Sequence, residues 1–178
     1  DDVSGAIKPL NESGMALSMF GDAGFGREVQ RGKNVDRGFS ADLVAASARA
    51  IQDRWRPSPA PTWVTALPSI ARPGIVRDFA ARLAAALGIP FVDALTVREG
   101  GLPQKAMQNS FQQAHNALAK LDVMADRVLP GPVLLVDDIV DTRWTLTVAG
   151  WLLQTNGSGP VHPFALAVAA GRDDGEAA

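Results

Sequence analysis

The chain contains no cysteine, which excludes disulfides and thiolate metal sites. Its 2 histidines, His115 and His162, are far apart in sequence, so neither zinc nor haem is expected. No apolar stretch approaches the ~20 residues needed to span a bilayer. The opening Asp1-Asp2-Val3-Ser4 is not a signal peptide. A cytoplasmic protein with no membrane partner is therefore expected. Because the first residue is not Met, a segment of a longer protein is expected too. Basic patches are also missing. The net charge is -2 and no cluster of Lys or Arg appears, so this chain should not grip nucleic acid by charge alone. The Gly-x-x-x-x-Gly-Lys-Ser/Thr phosphate loop is absent. Its nearest fragment, Gly32-Lys33-Asn34, lacks both the first glycine and the hydroxyl.

The sequence has 178 residues, 47% of them hydrophobic and 20% charged, which suits one soluble domain with a sizeable core. Residues 1–39 carry few periodic apolar positions. Gly21, Gly24 and Gly26 give Gly-x-x-Gly-x-Gly, the reverse of the dinucleotide spacing, with no clear strand before it. These residues are read as an N-terminal arm or linker. Ser40 can cap a helix to about Arg56, with Val44, Ala48, Ile51 and Trp55 on one face. Pro57, Pro59 and Pro61 end it. A strand is expected over 62–67. A helix then carries Ile75, Val76, Phe79, Ala80, Leu83, Ala84 and Leu87 on its apolar face, and Gly88 stops it. Phe91 to Leu95 reads as a second strand. Strand, helix and strand at this spacing make a βαβ unit with parallel strands. Residues 98–116 are rich in glycine and side-chain amides, as in a functional loop or a polar helix. Val161 to Val168 reads as a last strand, with Pro163 suggesting an edge position. Residues 171–178 read as a flexible tail. The expectation is one α/β domain over 40–170, with a mostly parallel twisted sheet flanked by helices.

The most informative stretch is 133–147. Val133, Leu134, Leu135 and Val136 form an apolar run ending in Asp137-Asp138, and a hydroxyl-rich turn and a helix follow. A short apolar run of this kind reads as a buried strand, and ligands in open parallel sheets lie outside the carboxyl ends of strands. A helix start adds free N–H groups and a positive dipole end suited to phosphate. Carboxylates for hydroxyls or a metal, beside amides for a phosphate, are what a ribose phosphate requires. Other readings are a Walker B strand, which lacks its partner loop here, a phospho-acceptor receiver domain, whose acids end the first strand rather than a late one, and a pair of solvated acids.

The order Val136-Asp137-Asp138-Ile139-Val140-Asp141-Thr142 followed by Arg143, Trp144 and Thr145 resembles the diphosphoribosyl-binding motif of type I phosphoribosyltransferases. The resemblance implies that Asp137 and Asp138 bind the ribose, directly or through Mg²⁺. It implies that Asp141, Thr142, Arg143, Trp144 and Thr145 form the phosphate loop. The family usually has glycine after the Thr. Arg143 here gives up positive-φ freedom but supplies a guanidinium. Ala66-Leu67-Pro68-Ser69, with Arg72 and then Pro103-Gln104, is similar to competence-type members. That implies a pyrophosphate loop containing Ser69 and Arg72 and a flexible loop containing Gln104. Together with Pro103 to Ser110 and the Arg143-Trp144 pair, these segments resemble the C-terminal phosphoribosyltransferase-like domain of actinobacterial RecQ-type ATP-dependent DNA helicases. This implies an accessory domain that binds a phosphoribosyl or nucleotide-like molecule without turning it over. Helicase domains would lie upstream, and DNA would be met through the parent, in a DNA-repair setting. An active phosphoribosyltransferase using phosphoribosyl diphosphate and Mg²⁺ is one alternative, although no general base can be read off. A protein-interaction module on the same fold is another. No catalytic residue is assigned.

Overall fold

The computed structural model describes residues 10–69, 71–98, 120–141 and 143–169. Its centre is a four-stranded, all-parallel sheet in the order β1-β6-β5-β2. The strands are β1 (Met15–Met19), β2 (Trp63–Ala66), β5 (Val133–Val140) and β6 (Val161–Val168). A separate antiparallel pair joins β3 (Leu95–Val97) to β4 (Leu121–Val123). The helices are α1 (Phe25–Arg31), α2 (Ala41–Arg49), α3 (Ile75–Leu87) and α4 (Trp144–Thr155). α1 runs into a π-turn at Gly32–Asp36, and α2 into another at Ala50–Trp55.

Parallel strands need crossovers, and the crossovers cover both faces of the sheet. Strand alternation divides the core accordingly. Leu134 and Val136 of β5 pack with Phe79, Ala80 and Leu83 of α3 and with Leu43 and Val44 of α2. Val133 and Leu135 pack with Val148, Ala149, Leu152 and Leu153 of α4. Ser40 caps α2 as expected, its hydroxyl accepting Leu43 N–H at 3.2 Å. The apolar face read for α3 is its buried face, and Gly88 takes the left-handed conformation at its end, φ 71°. His162 is a core residue, 2% exposed. Its Nε2 lies 2.7 Å from Pro59 O, and Trp55 meets its ring edge to face.

Four expectations are corrected. Residues 15–31 are not an arm. β1 pairs with β6 from Met15↔Phe164 to Met19↔Val168, and Val29 of α1 is fully buried in the core. The strand and its helix pack too closely for a loose attachment, since a Cβ on Gly26 would run into Met19 O. Gly26 therefore has a packing reason that glycine spacing alone does not disclose.

The strand read over Phe91 to Leu95 is reduced to a single parallel bridge, Val64↔Phe91. The Thr65 hydroxyl accepts Ala94 N–H at 3.3 Å, and the chain leaves for the β3–β4 pair. Pro163 lies on a central strand rather than an edge, because β6 runs between β1 and β5. The ladder tolerates it because the missing N–H falls just before the β1–β6 ladder begins. Val161 O accepts from Glu12 N–H, so Val161 and Pro163 both turn their backbone groups toward β1, whose register begins only at Phe164. Finally, β5 continues to Val140, so the paired acids lie within the strand rather than just beyond it. The proposed tail at 171–178 lies outside the described residues.

The close contact at Gly26 makes the β1–α1 corner testable. Gly26→Ala should destabilise the chain by about 1–3 kcal/mol in urea unfolding. An N-terminal arm lying outside the cooperative unit would leave the midpoint unchanged.

Candidate functional site

β2 and β5 are neighbours whose onward connections diverge. After β2 the chain passes through α3 on one face, and after β5 through α4 on the other face to β6. This divergence creates a crevice at the carboxyl ends of the two strands. The β2–β5 register ends at Ala66↔Val136, with Leu67 N–H donating to Val136 O. β5 runs on beside β6 alone, through Asp137↔Ala165 to Val140↔Val168. Asp137 and Asp138 are thus the first β5 residues past the point where β2 leaves.

Alternation sends the two acids to different faces. Asp138 continues the row of Leu134 and Val136, is 7% exposed, and meets Lys33 from the π-turn after α1. Lys33 Nζ lies 3.0 Å from Asp138 Oδ2. Asp137 continues the row of Val133 and Leu135 on the α4 side. Each carboxylate also accepts the following backbone N–H at 2.7 Å: Asp138 N–H on Asp137 Oδ1, and Ile139 N–H on Asp138 Oδ1. Burial, then the neighbouring Asp138 charge, pushes the Asp137 carboxyl up to about 7. Lys33 and the Asp138 backbone N–H act in the opposite direction.

The helix beyond the acids starts without a side-chain cap and without an acid in its first turn. Arg143 is its N-cap residue, and its carbonyl accepts both the N–H and the hydroxyl of Thr147 at 3.0 Å. Asp141 and Arg143 are exposed, and Trp144 and Thr145 are half-buried. Thr142 and Gln104 lie outside the described residues. Arg143 also borders a hollow of about 450 Å³ shared with Glu12, Val140, Thr147 and Val168.

Ser69 and Arg72 follow β2 on the other side of the crevice. The Ser69 hydroxyl accepts Arg72 N–H at 3.2 Å, so it stabilises its own turn. The Arg72 guanidinium donates to Lys33 O and, at 3.2 Å, to Asn34 Oδ1. The structure therefore brings Arg72 to the turn that supplies Lys33, and Lys33 to Asp138. Between this turn and the start of α3 lies a hollow of about 460 Å³ bordered by Lys33, Arg37 and Arg72. Its acid, Asp78, is paired with Arg82 at 2.9 Å. Sequence reading passed over Lys33 and Arg37. Gly32-Lys33-Asn34 fails as a phosphate loop, and nothing local in the chain links it to the acids of β5.

Adenine phosphoribosyltransferases are among the solved structures similar to this chain. The enzyme from Leishmania tarentolae aligns with 89% of this chain and 94% of its own, at 14% identity and a TM-score of 0.51. That from Thermoanaerobacter pseudethanolicus covers 72% of this chain and 79% of its own, at 19% identity and a TM-score of 0.48. The Saccharomyces cerevisiae enzyme, solved with an imino-altritol bisphosphate and adenine, covers 74% and 70%, at 19% identity and 0.48. The Leishmania tarentolae match carries the fold assignment. The chain has an α/β fold like that of the Leishmania tarentolae enzyme, its parallel sheet flanked by helices. No protein-family model and no curated protein sequence matches it. Among the described residues no helix is long and apolar enough to cross a membrane.

The acids are a pair, and no group of three His, Cys, Asp or Glu side chains able to hold a metal occurs among the described residues. Mg²⁺ often uses one or two carboxylates and completes its shell with ligand phosphates and water. Here such an ion meets an Asp138 already paired with an ammonium.

The raised Asp137 carboxyl has a consequence for stability. Between about pH 4 and about pH 7 the folded chain keeps this proton after the unfolded chain has released it, so its contribution is greatest in acid and is lost as pH rises. Asp137→Asn, which cannot ionise, should flatten this fall by roughly 1–2 kcal/mol, the partial solvent access of Asp137 moderating the size. Urea unfolding across that pH range measures it. A carboxyl-carbon NMR titration with its midpoint near an ordinary carboxylate would contradict the assignment.

Proposed function

We propose that this chain binds a phosphoribosyl or nucleotide-like ligand at the carboxyl end of β5 and acts as an accessory domain rather than a transferase. The observation that carries the reading is Asp137-Asp138, set on the central strand at the point where β2 departs and followed at once by the uncapped start of α4. Carboxylates there suit ribose hydroxyls, and free helix N–H groups suit a phosphate. Asp141, Thr142, Arg143, Trp144 and Thr145 would form the phosphate loop, with the Arg143 guanidinium serving where the family has glycine. Ser69 and Arg72 flank the crevice on the side where a diphosphate would extend. Mg²⁺, where it takes part, would arrive with the ligand's phosphates.

We further propose that the parent is a RecQ-type ATP-dependent DNA helicase, on the resemblance of the segments around Ser69, Pro103-Gln104 and Arg143-Trp144. DNA and ATP would then be handled by upstream domains, in keeping with the lack of basic clusters and of a phosphate-binding P-loop in this chain.

The test is thermal unfolding with phosphoribosyl diphosphate. A ligand at a hundred times its Kd should stabilise the native state by about 2.7 kcal/mol. Asp138→Asn should reduce the effect by about ten-fold in Kd. No shift at millimolar ligand would remove the proposal. Pyrophosphate release above background with any nucleobase, abolished by Asp138→Asn, would instead establish a transferase.

A further inference from the structure

The cation that faces Asp138 belongs to the chain itself. Lys33 Nζ lies 3.0 Å from Asp138 Oδ2, with the lysine side chain 29% and the aspartate side chain 10% exposed. The other Asp138 oxygen is engaged by Ile139 N–H, so the ammonium takes the oxygen that the strand leaves over. Lys33 is not carried on a loose surface turn. A Cβ on the preceding Gly32 would stand 2.8 Å from Gly38 O and from the Phe39 ring, so the turn is packed down onto the core. Gly38 N–H closes it on Gly32 O at 3.1 Å, and Arg37 ends it in the left-handed conformation, φ 53°. The Arg72 guanidinium, from the far side of the crevice, fastens Lys33 O and Asn34 Oδ1. Several parts of the fold therefore fix where the ammonium can go.

This arrangement is at odds with a divalent ion resting on the acids. A dication near Asp138 would meet a fixed positive charge in a partly desolvated place, where like charges repel more strongly than in water. An ammonium has three donors. With one on Asp138, Lys33 has donors left for oxygens of a ligand entering between β5 and the hollow bordered by Arg37 and Arg72.

We infer that Lys33 is the resident cation of the Asp137-Asp138 pair and that the site holds the ribose and phosphate oxygens of its ligand without a divalent metal. The ligand half of this inference rests on the reading under Proposed function. The competition between Lys33 and a metal does not.

Two measurements on the whole chain test it. In the first, Mn²⁺ is titrated into wild type, Lys33→Arg and Lys33→Gln without ligand and followed by electron paramagnetic resonance. Lys33→Gln should bind at least about ten-fold more tightly than the other two. Equal binding by all three would overturn the competition. In the second, phosphoribosyl diphosphate binding is measured by calorimetry in Mg²⁺ and in EDTA. Wild type should bind alike in both. Lys33→Gln should weaken by about ten-fold in EDTA and recover in Mg²⁺. Thermal melts of each variant exclude unfolding as the cause. Wild-type binding that disappears in EDTA would overturn the metal-free site while leaving the functional reading intact. No binding in either buffer would overturn that reading and the ligand half together, and the manganese titration would still decide the role of Lys33.

Discussion

The fold depends on burying β5 on both faces while keeping its carboxyl end accessible. Val133 to Val136 are wholly buried, so the strand needs apolar cover above and below. Parallel connection supplies it, with α2 and α3 on one face and α4 on the other. The two coverings come from connections that run opposite ways along the sheet, which is why a crevice opens beside β5. The acids lie one step beyond the last residue shared with β2, where apolar cover stops and polar groups can gather.

Placing two adjacent carboxylates there has an electrostatic cost that the surrounding chain divides unevenly. Asp138 receives an ammonium and a backbone donor, Asp137 a backbone donor and the repulsion of its neighbour. The pair is thus asymmetric before any ligand arrives: one acid is neutralised by a partner, and the other is inclined to keep its proton. Removing Lys33 from its partly buried ion pair would leave the Asp138 charge uncompensated. The site's electrostatics therefore depend on the turn after α1 as much as on β5 itself.

Much of this was legible in the sequence. The run Val133 to Val136, the apolar face of α3, the Ser40 cap and the stop at Gly88 rest on local rules, and each appears in the structure where those rules put it. The features that escaped are those without a local cause. β1 is a short strand with glycine-rich surroundings, and its identity comes from pairing with β6 at the other end of the chain. Pro163 misled because the usual rule concerns the missing N–H, and only the tertiary register shows that this N–H would face the residues that precede β1 and its first ladder pair, Met15↔Phe164. Asp137 and Asp138 draw attention in the sequence because strand-end acids have a pattern. Lys33 was missed because its partner is determined by how one turn packs against another, through Gly32, Phe39 and Arg72.

The pairing of β1 with β6 also bears on how the sheet can form. β1 comes first among the described strands, yet its ladder partner comes last, and its helix packs against the same late strand. On a ribosome the first strand would emerge with no partner and wait while nearly all of the domain is made. Contacts of such long sequence separation are slow to form. Until β6 is made, β1 has no ladder partner among the described strands. Completion of the sheet edge and the meeting of Lys33 with Asp138 thus both rest on contacts between widely separated parts of the chain.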